Sequence, residues 1–189
     1  ELEYVRSTLN PTYLALNVDG IYSDSELSII ESNISHLKLD TIFTAIRIQD
    51  PGLIAWAKQH MTNAQIQFHS ETGFQQTHAI ESLFQSGISQ ITLNHEIPYA
   101  TINTFQLQFK SMEIFVQGPI LIQYSRRTFF TDLYELDPTI PIKYQAEDPD
   151  LPHRPFSFLN TNFGHFMFAH FHRSLAMASD ALKSFTDHP

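Results

Sequence analysis

Five short runs of apolar, β-favouring residues recur through the first part of the chain: Tyr13–Val18, Thr41–Ile46, Ile66–Phe68, Ile91–Leu93 and Met112–Val116. Between them, apolar residues repeat at intervals of three and four, the period of one helix face. In the first such stretch Ser23 and Glu26 form an S-x-x-E capping box ahead of Leu27, Ile30, Ile34 and Leu37. A helix therefore starts there and lays that side on a sheet. Asp50-Pro51 opens a second helix, with a carboxylate for the unpaired N–H groups and a proline where no N–H is needed, and Leu53, Ile54 and Ala57 form its buried side. A third helix covers Gln75–Ser86, turns Ala79, Ile80, Leu83 and Phe84 inward, and stops at Gly87, which accepts a left-handed backbone. A fourth opens near Pro98 and carries Ile102 and Phe105 inward. Strands and helices alternating with a period of about 20–30 residues make the rhythm of βα units. The pattern predicts an α/β protein with a parallel sheet or barrel.

After Tyr134 the rhythm ends. Pro138, Pro141, Pro149, Pro152 and Pro155 predict an extended connection rather than a helix or a central strand, because proline has no N–H for either ladder. Phe156–Leu159 and Phe166–His172 then alternate around Asn160-Thr161-Asn162-Phe163-Gly164, which is turn chemistry between hairpin strands. Leu175–Phe185 reads as a final helix. The predicted layout is a βα region over 1–134, a proline-rich connection over 135–155, and an aromatic hairpin with its helix over 156–189, all in one domain.

Charge and cysteine usage narrow the chemistry. Lys plus Arg number 11 against 20 Asp plus Glu, for a net charge of −9, so the surface repels polyanions and a nucleic-acid partner is disfavoured. The chain has no cysteine, which removes disulfides, a thiolate nucleophile and any cysteine-ligated zinc or iron–sulfur centre. No apolar run is long enough to span a bilayer and the N-terminus has no secretory pattern, so a soluble, cytoplasmic protein is expected. A first residue other than methionine suggests a processed product or a piece of a longer chain.

Four ordered segments resemble landmarks of the peptidase U32 (collagenase-like) family. Ile48-Gln49-Asp50-Pro51-Gly52-Leu53-Ile54 is similar to V-Q-D-x-G-L-I. Ser70-Glu71-Thr72-Gly73, with Gly87-Ile88 and Leu93-Asn94-His95-Glu96, is similar to S-x-Q-x … G … L-S-R-E. Met112-Glu113-Ile114-Phe115-Val116-Gln117-Gly118 with Tyr124-Ser125-Arg126-Arg127-Thr128 resembles the signature E-x-F-V-H-G … Y-S-G-R-C. Here Gln117 replaces the histidine, Arg126 the glycine and Thr128 the cysteine. Arg154-Pro155-Phe156 through Gly164-His165-Phe166 resembles the family hairpin, and His172-Arg173-Ser174 stands where a second cysteine is expected.

The resemblance implies a TIM-like (β/α) barrel. It also implies relatives described as proteases beside others that hydroxylate RNA bases or quinone precursors with a cysteine-bound cluster. This chain keeps the landmarks and lacks the cysteines, so no cofactor is expected. Five parallel strands cannot close an eight-stranded barrel. The expected fold is thus a partial barrel, completed by residues outside this chain, covered by a protein partner, or open.

In such a barrel chemistry gathers where strands end. That places Asp50 and Glu96 as catalytic candidates, joined by Arg127, which matches the family arginine. Asn17, Ser70, Gln117, Tyr124 and Arg126 are the expected substrate-binding residues. Asp50 has a strong structural alternative as a helix cap, Glu96 could equally cap or form a salt bridge, and Arg126 with Arg127 form a pair that could grip a carboxylate or phosphate or simply be solvated.

His165, His170 and His172 cluster on the hairpin, but without an acidic companion and among Phe163, Phe166, Phe168 and Phe171 they read as aromatic packing, so no metal is expected. Those phenylalanines could also face a partner. H-E-x-x-H, G-x-S-x-G and a phosphate loop are absent. A Ser125–His95–Asp50 triad can be drawn, but ten histidines make such triples arise freely. The expected function is a degenerate, cluster-free binding or scaffolding subunit; the alternative is a hydrolase or hydroxylating enzyme whose remaining parts lie elsewhere.

Overall fold

A computed structural model describes residues 4, 7–8, 13–18, 20–70, 76–109, 111–115, 118–127, 133–135, 137, 142–161 and 164–173. The chain forms two compact units, Glu1–Ile114 and Phe115–Pro189.

The first unit is a mixed α/β structure built on β1 (Ala15–Val18), β2 (Ala45–Ile48), β3 (Gln65–His69), β4 (Gln90–Leu93) and β5 (Met112–Ile114), parallel and in sequential order. Helices α1 (Asp24–Leu37), α2 (Leu39–Ile42), α3 (Leu53–His60), α4 (Thr77–Gln85) and α5 (Tyr99–Gln108) fill the intervals. This is the alternation the apolar pattern predicts, and it matches a partial β/α barrel. The core lies between one sheet face and the helices: Ile46, Ile48, Phe68, Ile91 and Leu93 are buried from the strands, and Ile34, Leu53, Ala57, Ile80, Ile102 and Phe105 from the helices. Each such large side chain contributes about 1.5–3 kcal/mol through burial.

Caps fix the helix starts. The Ser23 Oγ accepts from the Glu26 N–H at 3.4 Å, while Glu26 Oε2 accepts from the Ser23 N–H at 2.7 Å, a reciprocal capping box. Trp56 Nε1 donates to Glu31 Oε1 at 2.7 Å, and His60 stacks on Trp56 with ring centroids 5.2 Å apart, which ties α3 to α1. Gly87 ends α4 with φ +91, the left-handed backbone expected there.

Several boundaries differ from the predicted ones. Thr41–Ile46 is not one strand: Lys38 adopts φ 51 at the end of α1, and the chain makes one more helical turn, α2, before β2. The Thr41 N–H and Oγ both bond to the Lys38 carbonyl, at 3.0 and 2.8 Å, so a β-branched pair that favours strand is held helical by local hydrogen bonds. Leu37, expected inward, is exposed at the end of α1. Asp50 is not a side-chain cap of α3, whose first turn follows Gly52; its Oδ1 accepts from the Gly52 N–H at 2.8 Å in an Asx turn just ahead of it.

The second unit is an antiparallel sheet in the order β6 (Gly118–Ser125), β9 (Gly164–Arg173), β8 (Leu151–Thr161), β7 (Ile142–Asp148). The predicted hairpin is its centre, with Thr161 opposite Gly164. The proline-rich connection is corrected: it holds β7 and the first half of β8, a central strand. Its prolines are tolerated because Ala146 pairs with Phe156 while Asp148 pairs with Leu151, so Pro152 and Pro155 fall within a bulge. Tyr124 lies against Phe166 at 4.8 Å, and Phe166 stacks on Phe168 at 6.4 Å. The predicted final helix lies outside the described residues. Among the described residues no helix is long and apolar enough to cross a membrane.

Candidate functional site: a polar layer across the parallel sheet

A parallel strand covered by helices on both faces is apolar at nearly every position. The strands of the first unit are not. Their register aligns Asn17, Arg47, Gln67 and Gln90 in one row, and His69, Thr92 and Glu113 in a second row on the same face. Apolar residues occupy the alternate positions and point to the helices. The face opposite those apolar residues is therefore polar by construction of the sequence, since side chains alternate with a period of two.

These groups bond to one another. Arg47 Nη2 donates to Glu113 Oε2 at 3.0 Å, and Arg47 Nε donates to Gln67 Oε1 at 3.3 Å. Thr92 Oγ1 donates to the same Glu113 oxygen at 2.8 Å. Because Gln67 Oε1 faces a group that can only donate, its amide orientation is set, and Nε2 donates to Gln90 Oε1 and to the Tyr13 hydroxyl. Gln67 is 1% exposed, while the Arg47 and Glu113 side chains keep 29% and 36% of their surface open. The layer is thus anchored by a buried amide and half open at its charged pair. Burial, and then the Glu113 carboxylate, push the Tyr13 hydroxyl pKa up, outweighing the opposite effects of Arg47 and of the Gln67 hydrogen bond. Tyr13 thereby remains a neutral O–H donor.

Apart from Asn17, the residues expected from sequence occupy other places. Asn17, exposed in β1, lies in the first polar row. Asp50 and Ser70 follow β2 and β3, and Glu96 lies beyond β4, so all three share the C-terminal edge of the parallel sheet. Asp50 gives one oxygen to the Gly52 N–H. Ser70 is buried, its N–H donating to the Thr92 carbonyl at 3.1 Å. Glu96 is exposed, and its N–H is held by Asn94 Oδ1 at 2.7 Å. Tyr124, Arg126 and Arg127 belong to the second unit, where both arginines are exposed and the Arg127 N–H donates to Ser125 Oγ at 3.2 Å. Gln117 and Thr128 lie outside the described residues, as do the side chains of His170 and His172.

Arg47, Gln67, Thr92, Glu113 and Tyr13 were not among the sequence candidates. Their signal was present: a polar residue at every second position of otherwise apolar parallel strands.

Cluster chemistry does not fit these residues. An iron–sulfur centre of the implied type is held by thiolates, and the chain supplies none. Among the described residues no group of three or more His, Asp or Glu side chains comes together as metal ligands.

Five parallel strands in sequential order, alternating with helices, are consistent with part of a β/α barrel, and the interacting polar layer lies on the sheet face opposite the buried apolar side chains. The family model for peptidase family U32 matches residues 2–137, well over half of the chain, and the protein belongs to that family. The match covers the whole parallel sheet and the Met112–Thr128 signature segment; the hairpin segment from Arg154 lies beyond it. No curated protein and no solved structure matches the chain.

Proposed function

We propose that this U32 family member acts as a cluster-free binding subunit, holding its ligand on the polar face of the parallel sheet instead of performing redox chemistry there. The observation that carries this reading is the shared Glu113 oxygen. Glu113 Oε2 receives both Arg47 and Thr92, at 3.0 and 2.8 Å, so the carboxylate's orientation is fixed by two neighbours before any ligand arrives. Asp50 commits an oxygen to the backbone of its own turn in the same way. Polar groups that satisfy each other form a preorganised recognition surface more readily than a reacting centre.

The test uses the natively purified full-length protein. Iron and labile sulfide are expected to be absent, peptide substrates to remain uncut, and the protein to bind a ligand saturably with binding lost in Arg47→Met. Stoichiometric iron and sulfide, or peptide turnover abolished by Arg127→Ala, would overturn the proposal in favour of an enzyme.

A further inference from the structure

The geometry points to a specific ligand class for this polar face: a small uncharged molecule with an amide edge, a carbonyl beside an N–H, as in a lactam or carboxamide. The inference rests on the face being a binding site and adds what it selects.

Arginine carries five N–H groups. Arg47 uses Nε on Gln67 and Nη2 on Glu113, so Nη1 takes no part in either contact, and the side chain is 29% open. Glu113 receives both of its bonds on Oε2, which leaves Oε1 on a side chain that is 36% open. Covalent geometry puts Nη1 and Oε1 within a few ångströms of the single Nη2–Oε2 contact. The pair therefore offers a donor beside an acceptor. Tyr13 adds a second donor: its oxygen accepts from Gln67 Nε2, so its hydrogen is available elsewhere.

Charge selects within the molecules that could meet this pattern. Arg47 and Glu113 already neutralise each other. A carboxylate brought to Arg47 meets the Glu113 charge, and an ammonium brought to Glu113 meets Arg47. A neutral carbonyl and N–H satisfy both without importing charge, and hydrogen bonds to ionised partners are the stronger kind.

Titration of the isotope-labelled full-length protein with 2-pyrrolidinone, acetate, methylammonium and glycine, followed by NMR, tests this. Saturable shifts at the Arg47 Nε–H and the Gln67 side-chain amide are expected with 2-pyrrolidinone, at least about tenfold tighter than with the charged probes. Glu113→Gln presents an amide N–H where Oε1 stood. It should weaken 2-pyrrolidinone by about tenfold and strengthen acetate, reversing the order. Tyr13→Phe, at a partly exposed position, should weaken 2-pyrrolidinone without altering the fold. Tighter binding of acetate, methylammonium or glycine to the unmodified protein at these same signals would overturn the ligand class and leave the binding site standing. No localised shift with any probe would overturn both.

Discussion

Arg47 and Glu113 meet at 3.0 Å although two strands, β3 and β4, separate the strands that carry them. A flat sheet with about 4.8 Å between strands would set those backbones roughly 14 Å apart. The side chains can join over that span only by lying along the face, above Gln67 and Thr92, and a sheet curled toward them shortens the reach. Tyr13, just before β1, likewise reaches past β2 to Gln67 in β3. Both contacts run across the polar face of the sheet and bridge strands that are not neighbours.

The ion pair should show measurable coupling. Arg47→Met and Glu113→Leu are each expected to cost about 1–3 kcal/mol, less than a fully buried pair because about a third of each side chain is open. The double variant should cost less than the sum by about 1 kcal/mol. Urea unfolding of all four proteins provides the cycle; strict additivity would mean the contact contributes nothing.

Gly164 should not accept a side chain. Its φ is +134, and a Cβ there would press on the Ser125 carbonyl oxygen and come within 3.1 Å of the Arg126 Cα. Both obstacles are backbone. Gly164→Ala is expected to destabilise the second unit by at least about 2 kcal/mol, read as a lower thermal midpoint; an unchanged midpoint would contradict the close approach of β9 to β6.

His165 gives the second unit a pH dependence. Burial pushes its imidazole pKa below the ordinary value of 6.5. Between those two values the unfolded chain binds the proton and the folded one does not. The associated stability is therefore complete above pH 6.5 and declines as pH falls through 6.5 toward the folded value. Urea midpoints from pH 7.5 down to 5 should drop more steeply for the native protein than for His165→Gln, and parallel curves would exclude the effect.

Ser23→Ala removes one half of the capping box and is expected to cost about 1 kcal/mol. Glu26→Ala on the same background should then add little, because the two bonds are reciprocal. Chemical denaturation of the three variants measures this directly.

Most of the first unit was legible in the sequence, for reasons that particular residues make clear. The capping box at Ser23, Gly87 at the end of α4 and the inward Ile102 and Phe105 are local signals, and the structure keeps them. Thr41 misled because its preference for strand lost to two hydrogen bonds to one carbonyl. Pro152 misled because a bulge spares it the ladder, a feature of register that no local pattern encodes. The polar layer was harder still. Arg47 and Glu113 stand 66 positions apart, and only the strand register brings them to one face.

The division of labour between the two faces of the parallel sheet sets how this protein can change over time. Among the described residues, the buried apolar side chains of the strands stand at one set of alternate positions, and the mutually bonded polar ones at the other. Arg47, Thr92 and Glu113 can therefore be exchanged in compatible combinations while Ile46, Ile91 and Met112 go on securing the scaffold, so the polar layer can vary without the architecture varying with it.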